Sequence, residues 1–227
     1  MRNVMGTVLI SMIVLFGGCS QTHQARKAAD SSGFLGDYSL LQEGEKGEAQ
    51  LRYINPDADF AAYDKVVVDP VSVWCSKDSK IPQEELNNLA SHLHYKIIAR
   101  LENDYKIVQT PGPGVMRISA ALTEAKKSRV GLNTITTIVP QARLMSGVKK
   151  LATGTGSFVG EASVECKITD SSSGKMLAAA MDRRAGGKTL RGSLKAWDDV
   201  EQAFDYWADQ LSQRLREARA ESGYNEY

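Results

Sequence analysis

The most reactive side chains in this sequence belong to three cysteines, and one of them stands in a different setting from the other two. Cys19 follows an apolar run at residues 4–16 and the pair Gly17-Gly18. Small residues ahead of a cysteine let an extended chain enter a peptidase cleft, and the cysteine sulphur can carry a lipid. The chemistry predicted at Cys19 is therefore lipid attachment.

The apolar run before Cys19 has the length of a signal-peptide core and is too short to span a bilayer comfortably. With Arg2 at its start and Gly-Gly-Cys at its end, it is typical of a bacterial lipobox, although Phe16 stands where leucine is usual. The sequence predicts a signal peptide at residues 1–18, cleaved before a lipidated Cys19. The alternative is an uncleaved N-terminal anchor helix.

The residue after the lipidated cysteine indicates where the protein is located, and the net charge indicates which partners it can bind. By resemblance to the enterobacterial sorting rule, Ser20 favours the outer membrane, with the domain facing the periplasm. The predicted mature chain has 209 residues, and the loss of Arg2 leaves 27 basic residues against 27 acidic ones. A neutral chain has no electrostatic basis for binding nucleic acid. The predicted partners are the membrane, through the lipid, and an envelope protein or a second copy.

Cys75 and Cys166 remain in the predicted mature domain, which is an even number in an oxidising compartment. They could form a disulfide. The alternative is two separate buried thiols that behave as small apolar residues. The sequence leaves both open, because it does not supply the distance between the two Cα atoms.

Residue sets suited to metal binding or catalysis are sparse. His23 lies in an N-terminal polar segment, and His92 and His94 point in different directions because they are two apart on a predicted helix. The adjacent acids Asp198 and Asp199 could serve a glycosidase, but a place at the start of a helix explains them more simply. The sequence therefore predicts no metal, no cofactor and no enzyme activity.

Hydrophobic patterning predicts the elements that would position any site. Alternating apolar residues at 158–168 predict a strand, and the chain after a turn predicts its hairpin partner. Apolar stripes at helical spacing predict helices after Pro82 and from about Ala196. The predicted fold class is α+β, with a mostly antiparallel sheet of about five strands and two principal helices packed on it.

Domain boundaries follow from composition. Residues 19–32 are polar and small and predict a lipidated tether, residues 33–221 predict one α+β domain, and residues 222–227 predict a flexible C-terminus. Residues 128–155 form a long excursion inside the domain, which is usually a functional or mobile feature. Its apolar side chains could bind a partner or pack back onto the domain. The candidate surface residues are Ile135, Ile138, Leu144 and Met145.

Several short motifs along the domain together resemble an uncharacterised family of bacterial lipoproteins, known as domain-of-unknown-function family 3313. The match runs from Gly33 to about Leu215 and implies no established activity, so no catalytic residue carries over. The motifs are Ser32-Gly33-Phe34-Leu35-Gly36-Asp37-Tyr38, Leu51-Arg52-Tyr53, Asn55-Pro56, Tyr63-Asp64-Lys65-Val66, Asp69-Pro70-Val71, Val159-Gly160-Glu161-Ala162, Asp170-Ser171-Ser172-Ser173-Gly174, Asp182-Arg183-Arg184 and Trp197-Asp198-Asp199-Val200, with Phe204 and Trp207-Ala208.

The leading functional hypothesis is a non-enzymatic, membrane-anchored envelope lipoprotein that binds other proteins or assembles with itself. One alternative is a cell-wall or lipid-active enzyme, which would need several ionisable residues converging in a cleft. Another is a carrier of small apolar ligands, which would need a lined cavity.

Overall fold

The computed structural model describes residues 22–25, 29–77, 79–127, 160–186 and 197–224. Within them the chain forms one sheet, two α-helices and a short 3₁₀ turn at Phe60–Ala62. The elements in chain order are β1 His23–Gln24, β2 Gln42–Glu43, β3 Leu51–Ile54, β4 Lys65–Val68, β5 Ser72–Val73, α1 Gln83–Leu101, β6 Lys106–Ile107, β7 Val115–Lys126, β8 Glu161–Asp170, β9 Met176–Ala185 and α2 Asp198–Tyr224.

Three long antiparallel strands form the centre of the sheet. Strand β7 pairs with β8 and β8 pairs with β9, so that Ala120, Cys166 and Ala180 lie side by side across them. Strand β4 pairs in parallel with β7, and helix α1 lies in the crossover that parallel pairing requires. The strand order is β2-β3-β9-β8-β7-β4-β6, with β1 beside β9 and β5 beside β7.

The α+β class with two principal helices and a mostly antiparallel sheet is confirmed, whereas the predicted number of strands was too small and the sheet is mixed. The described residues hold nine strands rather than about five, and the sheet is mixed because β4 runs parallel to both β6 and β7. Strands β1, β2, β5 and β6 have two residues each. Strands of that length are too short to show an alternating pattern in the sequence.

Both helices cover the same face of the sheet, because each carries one apolar stripe. Leu93 of α1 and Val200 and Phe204 of α2 are fully buried in a shared core. Lys96 and Asp205 form an ion pair between the two helices, with 2.5 Å from Nζ to Oδ1. Neither helix, within the described parts of the chain, is long and apolar enough to cross a membrane.

The opposite face of the sheet carries both polar and apolar side chains, and the chain that precedes β2 lies across it. Glu165 on β8 is fully buried and accepts the backbone N–H of Ser32 at 2.8 Å and the hydroxyl of Tyr38 at 2.7 Å. Lys167 donates to the carbonyl oxygen of Phe34 at 3.2 Å. These bonds satisfy polar groups that would be costly to bury unpaired. The chain around Ser32 is thus an attached part of the domain.

The β8–β9 turn is organised by one carboxylate. Asp170 Oδ1 accepts the backbone N–H groups of Ser172 at 3.1 Å and Ser173 at 2.7 Å, and Oδ2 accepts the Tyr63 hydroxyl at 3.1 Å. Gly174 closes the turn at φ 74°, a left-handed conformation that favours glycine. Hydrogen bonds from Ser173 hold the pKa of Asp170 below its usual value.

We expect Asp170→Asn to lower the free energy of unfolding by on the order of 1 kcal/mol at neutral pH. Because the folded pKa is depressed, the stabilisation by ionised Asp170 is present above the unfolded pKa of about 3.9. It is lost as the pH falls through the folded value. Urea unfolding across an acid titration should show wild type and variant converging in strong acid. A gap in stability that is independent of pH would contradict this assignment.

Candidate functional site

The structure describes some of the residues that the sequence singled out and omits others. Cys75, Cys166, Asp198 and Asp199 lie within the described ranges. The predicted lipid acceptor Cys19 lies outside them, as does the whole excursion. The predicted partner-surface residues outside the described ranges are Ile135, Ile138, Leu144 and Met145.

Cys75 and Cys166 are both free thiols, so the disulfide that the sequence left open is not formed in this structure. Cys75 follows β5, which pairs with one side of β7, and Cys166 lies on β8, which pairs with the other side. Strands two positions apart in a sheet are about 9–10 Å apart. A disulfide needs Cα atoms within about 7 Å. Strand β7 therefore separates the two cysteines.

A cavity of about 550 Å³ lies between α2 and the helix-covered face of the sheet. Its volume is within the range of roughly 300–1,000 Å³ found for small-molecule sites. One wall is a stripe along α2 whose members recur every three or four residues, mostly as adjacent pairs, as expected for one helix face. The α2 residues are Trp207, Gln210, Leu211, Arg214, Leu215, Glu217, Ala218, Glu221 and Ser222.

The floor of the cavity consists of small side chains at positions where a sheet normally touches the helix above it. Ala120, Cys166 and Ala180 are aligned across β7, β8 and β9, and Ala178 shares their face of the sheet. Protein interiors are otherwise close-packed, so a patch of small residues leaves open space beneath α2. Three consecutive alanines at 178–180 were the sequence signal for this feature.

One end of the cavity is formed around the buried carboxylate of Asp182. Its Oδ2 accepts the indole N–H of Trp207 at 2.7 Å, and its Oδ1 accepts Gln24 Nε2 at 2.9 Å and the backbone N–H of Gln50 at 3.2 Å. Arg184 Nη1 lies 4.0 Å from Oδ2. A buried carboxylate with this many partners is a structural group. It holds the Trp207 ring in place as a cavity wall.

Charged side chains of both signs stand at the rim of the cavity. Arg52 Nε lies 2.6 Å from Glu48 Oε2, and Arg214 Nη1 lies 2.8 Å from Glu217 Oε2 and 4.0 Å from Glu48 Oε1. Arg214 and Glu217 are 45% and 41% exposed, so their pair contributes little to stability, whereas Glu48 is only 13% exposed in its pair with Arg52. An apolar interior with a charged rim suits an amphipathic molecule.

The acids at the start of α2 are not part of this cavity. Asp199 is 2% exposed, and its Oδ2 accepts the backbone N–H of Gly160 at 2.8 Å, which ties α2 to the start of β8. It also lies directly against Gly186 at the end of β9. Over the described parts of the chain, no three or more His, Cys, Asp or Glu side chains converge as a metal site.

The predicted tether is attached to the domain over part of its length. His23–Gln24 pairs antiparallel with Arg184 and Ala185 of β9. Arg184 donates from Nε to Thr22 Oγ1 at 3.0 Å and from Nη2 to the Thr22 carbonyl at 2.7 Å, while its guanidinium lies 3.5 Å from the centre of the Tyr206 ring. This segment shows no alternation of apolar residues in the sequence, because its contacts with the domain are polar.

Thiol reactivity provides a test of this arrangement. Burial raises the pKa of Cys166 to about 12, and burial together with Glu124 raises the pKa of Cys75 to about 11. Since the thiolate is the nucleophile, we expect Cys166 in the folded protein to react with iodoacetamide about a hundredfold more slowly than a free cysteine. Both thiols should react in urea without reductant. Labelling in urea that requires reductant would instead show a disulfide.

The cavity lies within an α+β fold with a mixed sheet, and comparison with known proteins gives the family. The chain belongs to the family described as Protein of unknown function (DUF3313), whose model matches residues 30–211. The family predicted from the sequence is thereby confirmed. The chain is also similar to "Uncharacterized lipoprotein YdcL" of Escherichia coli strain K12, with 25% identity over 203 residues, covering 87% of this chain and 89% of that protein.

Solved structures show only distant similarity. A PelC dodecamer from Paraburkholderia phytofirmans is 14% identical with a TM-score of 0.39, and the match covers 71% of this chain and 94% of that one. Protein XCC0632 from Xanthomonas campestris is 13% identical with a TM-score of 0.37, and the match covers 76% and 92%. Similarity at this level carries no argument about binding or assembly.

Proposed function

We propose that this chain is a lipid-anchored protein of the bacterial cell envelope that binds a small apolar molecule in the cavity beneath α2, without a chemical step. The cavity of about 550 Å³ carries the proposal. The lipobox-like Gly17-Gly18-Cys19 and the lipoprotein name of YdcL support a signal peptide at residues 1–18 and a lipid on Cys19. Ser20 supports the outer membrane, with the domain in the periplasm.

Binding is favoured over catalysis by the state of the ionisable groups that line the cavity. Asp182 is occupied by its hydrogen-bond donors, and the pKa of Cys166 is raised to about 12 by burial, which keeps it a thiol. Glu48 and Arg52 pair with each other at the rim. These lining residues supply no activated nucleophile paired with a general base, the arrangement that covalent catalysis requires.

A protein-binding role through the excursion is the second candidate. The observation that favours it is the apolar character of the sequence at 128–155, including the candidate residues Ile135, Ile138, Leu144 and Met145. Crosslinking in intact cells tests it. A specific crosslinked neighbour or a second copy would support this role, and a strictly monomeric, uncrosslinked protein would argue against it.

A matched pair of variants on α2 tests binding in the cavity. Ala218 faces the cavity, whereas Ala220 is exposed two residues further on. We expect Ala218→Leu to fill part of the cavity and weaken binding of the apolar fluorophore N-phenyl-1-naphthylamine severalfold. Ala220→Leu makes the same change in helix propensity and should bind like wild type. If the fluorophore does not bind wild type, or binds both variants equally, the cavity is not a ligand site.

Mass spectrometry of the protein isolated from membranes tests the anchor. We expect the chain to lack residues 1–18 and to carry added lipid mass, whereas Cys19→Ala should accumulate as the unprocessed, unlipidated 227-residue chain. Ser20→Asp should move the processed protein to the inner membrane. A wild-type protein that retains residues 1–18 would contradict the lipoprotein assignment.

A further inference from the structure

We infer that the ligand is an amphiphile with one acyl chain, taken from the membrane that holds the anchor, and that the N-terminal strand places the cavity entrance at that membrane. This inference rests on the proposed function, namely lipid on Cys19 and binding beneath α2. It adds the class of the ligand and the route by which the ligand arrives.

The shape of the cavity indicates a single linear chain. The α2 wall runs from Trp207 to Ser222, which is 15 helical steps and about 22 Å at the rise of 1.5 Å per residue. The volume of about 550 Å³ is that of a site for one small molecule, so it suits one acyl chain lying along the helix rather than the two tails of a diacyl lipid.

The docked N-terminal strand fixes how far the domain can lie from its anchor. Only Ser20 and Gln21 lie between Cys19 and Thr22, so three Cα–Cα steps join the anchor to the residue that Arg184 holds by two hydrogen bonds. Three extended residues reach at most about 11 Å. The headgroup region of one leaflet is itself roughly 5–8 Å thick. The part of the domain around Thr22 must therefore lie at the membrane surface, whereas a free tether to Ser32 would allow a much greater distance.

The same strand touches the polar end of the cavity. Gln24 donates from Nε2 to Asp182 Oδ1 and to the backbone carbonyl of Glu48, both at 2.9 Å, and both of these residues line the cavity. Gln50 Nε2 donates to the carbonyl of Ala25 at 2.6 Å, which adds a hydrogen bond between the N-terminal segment and the chain before β3. The cavity end at Trp207 and Asp182 is thus the end nearest the anchor. Because buried Asp182 closes this end, we place the entrance at the neighbouring rim beside Glu48, which Gln24 also contacts.

The charges at the rim match a head group that carries a phosphate and an amine. Arg52 and Arg214 offer guanidinium donors to a phosphate, and Glu48 and Glu217 lie beside them to accept an ammonium. The Arg214–Glu217 pair is nearly half exposed and weak, so a ligand can exchange with it at low cost. A single-chain phospholipid such as lysophosphatidylethanolamine combines this head group with one tail.

The test uses Trp207 as a reporter, because its ring forms the cavity wall nearest the anchor. The chain has three tryptophans, so Trp74→Phe with Trp197→Phe leaves Trp207 alone. The full lipidated protein is inserted in phosphatidylethanolamine–phosphatidylglycerol vesicles that contain lysophosphatidylethanolamine brominated in mid-chain. Bromine quenches tryptophan on contact. We expect Trp207 to lose most of its emission, with the loss abolished by Ala218→Leu and retained in Ala220→Leu.

Two further conditions of this experiment test separately whether the site binds the lipid and whether the lipid comes from the membrane. In the first, an unanchored variant begins at Ser20 after export by a soluble signal peptide, and it is mixed with the same vesicles at equal concentration. In the second, this variant receives dissolved brominated lysophosphatidylethanolamine without vesicles. We expect the anchored protein to be quenched in vesicles, and the unanchored one to be quenched by dissolved lipid but far less by vesicles.

Equal quenching of anchored and unanchored protein by the vesicles would overturn the anchor-placed entrance and leave the proposed function standing. Failure of quenching in vesicles, with quenching by dissolved lipid, would overturn the membrane as the source. Failure in every arm would overturn the proposed function as well. Far-UV circular dichroism and the Tm of each variant establish that it is folded before the comparison is made.

Discussion

Gly186→Ala is expected to destabilise the protein by about 3 kcal/mol or more, because the added methyl group has no room. A Cβ at this position would lie 2.5 Å from Asp199 Oδ2 and closer still to Asp199 Cγ and Oδ1. Asp199 cannot move aside easily, since it is 2% exposed and its Oδ2 accepts the Gly160 N–H. The measurement is the urea midpoint of unfolding at neutral pH, or loss of folded protein altogether.

A double-mutant cycle distinguishes this collision from a general intolerance of change. Asp199→Ala removes the colliding atoms, but it leaves the Gly160 N–H without its acceptor at a cost of about 1–3 kcal/mol. In the Gly186→Ala background the same change should restore stability. Gly112→Ala is the control, because no described atom lies within 4 Å of a Cβ there. Additive losses in the double variant would contradict the proposed packing.

Asp182→Ala should be the second severe change, with a loss of about 3–5 kcal/mol. It leaves the Trp207 indole N–H and Gln24 Nε2 without their acceptor, and it removes the negative charge beside buried Arg184. Burial already lowers the pKa of Arg184, which shows how little solvent reaches its guanidinium. Urea unfolding gives the stability loss, and hydrogen exchange at residues 22–25 reports release of the N-terminal strand.

Two control variants, one conservative and one at the surface, are compared with Asp182→Ala for their loss of stability. Asp182→Asn keeps one oxygen acceptor and loses the charge, so its cost should fall between wild type and Asp182→Ala. Asp209 on the exposed side of α2 pairs with Arg100 across the helices, and both side chains are about half exposed. Asp209→Ala should therefore cost at most about 1 kcal/mol. Equal losses for Asp182→Ala and Asp209→Ala would refute the structural role of Asp182.

The long helices and strands were predictable, because each repeats its spacing of apolar residues over several helical turns or several pairs of strand residues. The helix after Pro82 and the strand that contains Val164 and Ile168 are found where the spacing of apolar residues predicts them. The two-residue strands were not predictable, since a strand of that length is defined by its neighbour. The docking of His23–Gln24 belongs to this class, because Arg184, far along the chain, makes the contact.

Several residues of the motifs that indicated the family make contacts that hold the fold together. The spacing of the motifs along the sequence does not show these contacts. Gly160, Gly186 and Asp199 form one contact at the start of α2, and Glu161 and Arg183 pair across β8 and β9 at 2.6 Å. These residues are far apart in sequence, so only the register of the long strands brings them together. The cavity was not predicted, because the sequence does not show where α2 lies above the alanines of β9 and so does not show whether that space is filled.

The central claim is that the cavity beneath α2 holds an acyl chain, and native mass spectrometry tests it most directly. The lipidated protein is released from its own membranes in mild detergent and compared with Ala218→Leu and Ala220→Leu. We predict a bound single-chain phospholipid on wild type and Ala220→Leu, beyond the covalent lipid of Cys19, and its loss from Ala218→Leu. Wild type that carries no bound lipid, while retaining its fold and its anchor, would contradict the account.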